Sequence, residues 1–215
     1  MVGYPESQML RKAKIVACVL AGAWLASACF EIAVVPTPSM ERTVLVGDHL
    51  LVFKLFDHPR LPLTHWRMPR LSTPSRGTLV SFHAPGRQRY VCLKRVVAVP
   101  GDRVEIRAGA LLINGRVEPN GFGRSPRVES LAPRTLGRDQ FYVVGDNRDL
   151  SEDSRDYGPI TREAIVGSPV AVLWSVRART VDLVNTRGNL SAAFYFHSLC
   201  HVFTRTRWSR TGLLL

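Results

Sequence analysis

The sequence predicts a mainly β domain following one N-terminal transmembrane helix, and three observations carry that reading. One long apolar run, Ile15–Val35, opens the chain and is broken only by Ser27 and Glu31 among strongly polar residues. From Pro36 to about Val176 the pattern changes to short β-rich runs separated by turn residues. No helical periodicity of comparable length runs through that second region.

Size and charge bound the rest. At 215 residues the chain has room for one domain plus extensions, which excludes a large multidomain machine. With 46% hydrophobic and 21% charged residues it carries enough apolar material for a core, so disorder throughout is excluded. Twenty-nine basic against seventeen acidic residues leave +12, a balance that points toward phosphate, in nucleic acid or anionic lipid. No nucleic-acid motif accompanies the charge, so a nucleic-acid partner is not expected.

The N-terminal run comes first. Arg11, Lys12 and Lys14 precede it, and its 21 residues would span about 31 Å as a helix, the thickness of a bilayer core. Positive charge on that flank keeps the N-terminus cytoplasmic and sends the remainder across. Glu31 would sit near the far interface. Ala26-Ser27-Ala28 resembles a cleavage site for removal of a leader, but the apolar run continues past it, which favours a retained anchor. The expected organisation is a tail at 1–14, an anchor at 15–35, a β-rich domain at 36–176 and a basic tail at 177–215.

Within the β-rich region, Leu50–Phe53, Thr78–Phe82, Tyr90–Val99, Arg103–Ile106, Ala110–Ile113, Gln140–Val144 and Val170–Val176 read as strands. Asn114-Gly115 predicts a type I′ hairpin turn and Pro100-Gly101 a type II turn. Residues 55–76, with four prolines and Trp66, predict an irregular surface excursion. The tail carries six arginines against Asp182, giving +5 of the +12, and Phe194–Phe203 suggests an interfacial amphipathic helix.

The four cysteines share no short spacing, so neither a zinc ribbon nor a dithiol redox site is supported. A Cys92–Cys200 disulfide is disfavoured, and His197, Cys200 and His201 read as a solvated or packed cluster rather than a metal site.

Three segments concentrate polar chemistry. Ser39 lies four residues past the apolar run, between Pro38 and Met40; alone it reads as a surface serine in a linker, with Pro38 holding Thr37 extended. Lys94 shares a strand face with Tyr90, Cys92, Val96 and Ala98, in a run apolar enough to be buried on both faces. Its ammonium either reaches water past a packed stem or is held neutral as a general base. An unperturbed lysine is neutral in only about one molecule in 2,500 at pH 7, and lowering its pKa to about 7 costs roughly 4.6 kcal/mol, within the reach of burial. Arg95 alternates to the opposite face. The third segment, Gly145–Arg155, holds Asp146, Asp149, Glu152 and Asp153 interleaved with Arg148 and Arg155, which reads as a salt-bridged loop scaffold rather than a metal site.

Taken in order, Ser39 to Val52, Lys94 to Asp102 and Gly145 to Arg155 resemble the three signature segments of type I signal peptidases, membrane-anchored Ser–Lys endopeptidases that remove secretory signal sequences. The resemblance runs from the anchor to about Gly167. It implies a signal-peptidase-like β-domain with Ser39 as nucleophile and Lys94 as general base. Ser151 would orient Lys94, and the Thr37 hydroxyl with the Ser39 amide would form an oxyanion hole. Asp146, Asn147, Arg148, Asp149, Asp153 and Arg155 would build the supporting loop. No metal or other cofactor is implied. The partners would be secretory preproteins cut after Ala-x-Ala-like sites and anionic membrane lipid, with the domain on the outer face of a bacterial inner membrane. Arg42, Thr78 and Leu150 stand where the family more often has proline, aspartate and asparagine. A conjugation-type processing peptidase with one dedicated substrate and a self-cleaving Ser–Lys regulatory protein are the alternatives.

Overall fold

The computed structural model describes residues 6–54, 65–66, 72–86, 91–118, 130–183, 194 and 198–215. Helix α1 (Glu6–Cys29) leads directly into strand β1 (Phe30–Val34). Ile15, Val19 and Leu20 on α1 are largely exposed, so the helix buries little of its apolar surface within the chain. Its stretch Gln8–Cys29, 22 residues, is long and apolar enough to cross a membrane.

The apolar run 15–35 is therefore not one helix: α1 stops at Cys29, six residues before the end of that run. Phe30–Val34 pairs antiparallel with β2 (Asp48–Phe53), from Phe30↔Phe53 to Val34↔His49. Aromatic and β-branched residues at 30, 32 and 34 suit an extended backbone, and the ladder with β2 replaces the helical hydrogen bonds. Glu31 lies 3.9 Å from the Lys54 ammonium, on a strand rather than at a helix end.

The remaining strands are β3 (Leu79–His83), β4 (Val91–Ala98), β5 (Arg103–Arg107), β6 (Ala110–Ile113), β7 (Arg116–Val117), β8 (Leu131–Thr135), β9 (Gln140–Val144), β10 (Ile160–Thr161), β11 (Ile165–Ser175) and β12 (Leu213–Leu214). The main sheet runs β1-β2-β11-β3-β4-β9-β10 with β12 added on β11, and a second sheet runs β7-β6-β5-β8. Long β11 serves two partners along one edge, β3 at Ile165–Gly167 and β12 at Ala171–Val172. All seven expected strands form.

β11 starts five residues before the expected Val170 and runs across Gly167-Ser168-Pro169. The register shift after Pro169 lets the strand continue past a residue with no N–H to donate. At Gly167 a Cβ would stand 2.6 Å from the Phe53 carbonyl oxygen, so only glycine lets β2 approach that closely. β8 and β12 carry weak strand signals, because one contains Pro133 and the other is two residues long.

Both expected turns are present. Asn114 and Gly115 have φ of 54° and 79°, the two positive values of a type I′ turn. Gly101 has φ 88° after Pro100, and the Asp102 N–H donates to Val99 O at 3.0 Å.

Four apolar clusters form the core among the described residues, the smallest of them around Val46, Val176, Leu183 and Phe194. Phe82, Val96, Phe141 and Ile165 pack in one, and Val104, Ile106, Leu136 and Tyr142 join the sheets in another. Met40, Val44, Leu50, Leu79 and Val172 form the third, which takes in Met40 of the turn carrying Ser39. On the outer face, registered neighbours Ile32, Leu51, Ala171 and Leu214 form an apolar row across four strands. Ile32 is 64% and Leu214 81% exposed, and the row begins three residues after α1 ends.

The tail is described in part. Its described part holds helical turns at Thr180–Leu183 and Val202–Arg205, with residues 198–200 also helical, after which residues 206–215 return along β11. Most of the expected excursion at 55–76, and the interior of the expected tail helix, lie outside the described residues. Cys92 and Cys200 are free thiols.

Candidate active site

Ser39 sits in a single 3-10 turn, Pro38–Met40, between β1 and β2. The turn follows from sequence: Pro38 opens it, and Thr37 is extended at φ −127°, ψ 153°, as a residue before proline should be. Met40 is completely buried in the cluster below, which fixes the turn and leaves the Ser39 side chain facing β4 of the same sheet. Ser39 is itself only 8% exposed.

β4 delivers Lys94 to the same point. Its Nζ lies 2.7 Å from Ser39 Oγ, and the residue is 4% exposed. Burial pushes the Lys94 ammonium below the ordinary lysine range, against the opposing pull of Cys92, Asp153 and Glu152. As an ammonium it would donate to Ser39; as a neutral amine it would accept the serine proton. Burial of β4 is uneven: Val91 is half exposed and Cys92 and Leu93 partly so, because this end of the strand borders the cleft rather than the core.

The expected supporting groups are only partly drawn together. Thr37 Oγ1 lies 3.4 Å from Ser39 Oγ, an exposed hydroxyl at the rim of the cleft. Ser151 is fully buried, and its hydroxyl donates to Asp153 Oδ2 at 2.6 Å rather than contacting Lys94. A carboxylate accepts the Ser151 proton, whereas an ammonium only donates. Asp153 is buried, accepts from Arg155 Nε at 2.8 Å and from the Gly145 N–H at 2.9 Å, and caps the short helix α2 (Ser154–Tyr157). Burial alone would raise its carboxyl pKa. The Arg155 guanidinium, the Gly145 amide and the Ser151 hydroxyl outweigh that and hold it below the usual range.

The rest of the acidic loop grips the serine turn. Asn147 donates from its N–H to Ser39 O and from Nδ2 to Pro38 O, each at 3.1 Å. Asp146 accepts from Arg95 Nε at 2.8 Å and from the Thr43 hydroxyl at 2.5 Å, tying the turn's exit to β4. Arg148 pairs instead with buried Glu118 at 2.9 Å, and Asp149 is exposed and makes none of these contacts. Of the loop's interleaved charges, Asp153 and Arg155 pair with each other, whereas Asp146 is held by Arg95 on β4 and Arg148 reaches outside the loop to Glu118.

Sequence reasoning missed Gly145 as more than a segment boundary. A Cβ there would stand 2.1 Å from Ser151 Oγ and 2.6 Å from Ser39 O, so its bare backbone lets the two serine segments meet. It also missed Tyr157, which with Thr37, Ser39, Cys92, Lys94 and Glu152 lines a cavity of about 290 Å³. Arg42 has φ 110°, which a proline ring locked near −65° could not adopt, so its departure from the family pattern changes local backbone.

A hydroxyl and a buried amine in contact at one end of a cleft are the elements of a hydrolase that uses serine as nucleophile. The family profile described as signal peptidase, peptidase S26, matches residues 8–174, and the chain belongs to that family of signal-peptide-processing proteases. It is 31% identical over 149 residues to signal peptidase I of Leptolyngbya laminosa, covering 66% of this chain and 68% of that one. A probable signal peptidase I-2 of Synechocystis is 28% identical over 178 residues, covering 80% of this chain and 76% of the relative. The thylakoidal processing peptidase 1 of Arabidopsis thaliana is 32% identical over 158 residues, which cover 69% of this chain and 43% of its own. A crystal structure of a signal peptidase I from Enterococcus faecalis covers 45% of this chain and 97% of its own, at 25% identity and TM-score 0.38.

Proposed function

We propose that this chain is a membrane-anchored endopeptidase that removes N-terminal signal peptides from secreted preproteins, with Ser39 as nucleophile and Lys94 as general base. The observation that carries the reading is the 2.7 Å contact between Ser39 Oγ and a 4% exposed Lys94 Nζ. Serine–lysine pairs are a known variant of the serine–histidine–aspartate arrangement.

The steps follow from the groups present. Neutral Lys94 accepts the Ser39 proton as Oγ attacks the scissile carbonyl. The Ser39 N–H and the Thr37 hydroxyl serve as donors to the developing oxyanion, and losing one such donor typically costs about 3–4 kcal/mol in the transition state. Lys94 then passes its proton to the leaving amine and activates the water that releases the acyl-enzyme. Ser151 supports Lys94 through Asp153 and the 145–155 loop rather than by a direct hydrogen bond. Cleavage after small residues, as in Ala-x-Ala, rests on the family resemblance and suits a cavity of about 290 Å³.

Helix α1 serves as the anchor, its N-terminus cytoplasmic and the β-domain on the outer face of a bacterial inner membrane. The apolar row from Ile32 to Leu214 lies against the same bilayer, and the chain's +12 charge favours anionic lipid. Incubating the protein with a preprotein and sequencing the product's new N-terminus tests the reading. Cleavage after an Ala-x-Ala-like site supports it, and an intact preprotein counts against it.

A further inference from the structure

The last ten residues lie beyond the 8–174 stretch matched by the family profile, yet they are built into the domain. Residues 206–215 run antiparallel to the second half of β11. The Arg207 N–H donates to Ser175 O at 2.8 Å, the Gly212 N–H to Val172 O at 2.7 Å and the Leu215 N–H to Val170 O at 3.0 Å. Trp174 Nε1 donates to the Thr206 hydroxyl at 2.9 Å.

This seam sets two guanidiniums on the segment that follows Ser39. Arg210 Nη2 donates to Thr43 O at 2.9 Å and to Asp48 Oδ2 at 2.7 Å. Arg207 Nη1 donates to Val46 O at 3.0 Å. Asp48 is fully buried and also accepts from Ser175 Oγ at 2.5 Å and from the Leu45 N–H at 2.9 Å. Thr43 is consequently held from two sides, its hydroxyl by Asp146 and Arg95 and its carbonyl by Arg210. The 145–147 loop is one half of a clamp on the serine segment, and the C-terminus is the other.

We infer that Arg210, seconded by Arg207, is a positioning residue for Ser39, and that residues 206–215 form a clasp that fixes the 40–48 segment and with it the serine turn. The inference rests on Ser39 being the nucleophile. It follows from what the two contacts do. Displacing a reacting group by about 1 Å can cost about a hundredfold in rate, and three of the clasp's contacts, at Thr43 O, Val46 O and Asp48, are made on the nine residues that follow the nucleophile. It also assigns two of the tail's arginines inward, to a buried carboxylate, where they are not available to lipid headgroups.

The test uses the full chain, with preprotein cleavage measured per folded molecule well below the melting temperature. Arg210→Ala is expected to lower kcat at least about tenfold with KM changed less than about twofold, and to shift the rising limb of the pH–rate profile as Ser39 drifts from Lys94. Simple loss of folded protein would scale that profile without shifting it. Arg210→Lys, which keeps charge at Asp48, is expected to recover part of the rate. A folded Arg210→Ala protein with near wild-type kcat and an unmoved profile overturns the clasp. If that variant does not fold, Arg207→Ala is read against the same outcomes; if neither folds, the arginines are scaffold and the positioning role is overturned. Ser39→Ala separates the two claims. Activity remaining there removes the nucleophile itself, whereas an inactive Ser39→Ala beside an unaffected Arg210→Ala removes only the clasp.

Discussion

Ser151 gives its hydroxyl proton to Asp153 Oδ2 at 2.6 Å, and Gly145 fits beside this pair because it has no side chain. The floor of the cleft is thus one unit: Arg155 holds Asp153, Asp153 holds Ser151 and the Gly145 amide, and Asn147 holds the serine turn.

Gly145→Ala should damage both halves of that unit. The new methyl would sit 2.1 Å from Ser151 Oγ and 2.6 Å from Ser39 O, so backbone must move. Overpacking of this kind costs about 1–3 kcal/mol of stability, and the displaced serine should lower kcat by one to two powers of ten. Chemical denaturation and preprotein kinetics check the two effects separately; a stable variant with normal kcat would show that the loop tolerates the shift.

Asp153→Asn should destabilise the fold by roughly 3–5 kcal/mol, since it strands buried Arg155 without its partner. The pH dependence has a definite sign. The Asp153 carboxyl is held below its ordinary value in the folded state, so its contribution is present above about pH 4 and is lost as pH falls through the lower folded value. Acid denaturation of the wild type should be steep in that range, and shallower in the Asp153→Asn protein.

Lys94→Met should be inactive and yet more stable than the wild type near neutral pH. Burial lowers the Lys94 pKa in the folded state, so the unfolded chain binds more protons between that value and the ordinary one near 10.5. Stability therefore rises with pH across that window and is penalised below it. Removing the amine while keeping the stem removes the penalty. Melting temperatures compared at pH 7 and pH 10 should show the gap between the two proteins closing as pH rises.

Ile32→Ser combined with Leu214→Ser should weaken binding to lipid vesicles while leaving cleavage of a detergent-solubilised preprotein intact. Both side chains are exposed on the outer face, far in register from Lys94, and removing them exposes no core. Unchanged vesicle binding, measured by flotation, would leave α1 as the sole membrane contact.

Local chemistry makes much of the fold and site legible in the sequence. Asn114-Gly115 and Pro100-Gly101 specify their turns through φ alone, and the two-residue period of a strand is enough to set Lys94 and Arg95 on opposite faces. The failures are long-range. Whether Phe30–Val34 stays helical depends on the edge of β2, which lies some twenty residues away. That Ser151 donates to Asp153 depends on which acceptor the loop buries beside it, and composition is silent on that. Arg207 and Arg210 read as part of a basic tail meant for anionic lipid because nothing in their own segment reveals that Asp48, over 150 residues earlier, is buried and paired with them.

The central claim is that Lys94 takes the proton from Ser39, and Lys94→Arg tests it most directly. Arginine keeps the positive charge and nearly the same length but does not deprotonate in proteins, so it cannot serve as the base. Turnover of a preprotein by folded Lys94→Arg protein should be abolished, falling to the level of Ser39→Ala because nucleophile and base act as one unit. Wild-type-like turnover by that protein would contradict the account.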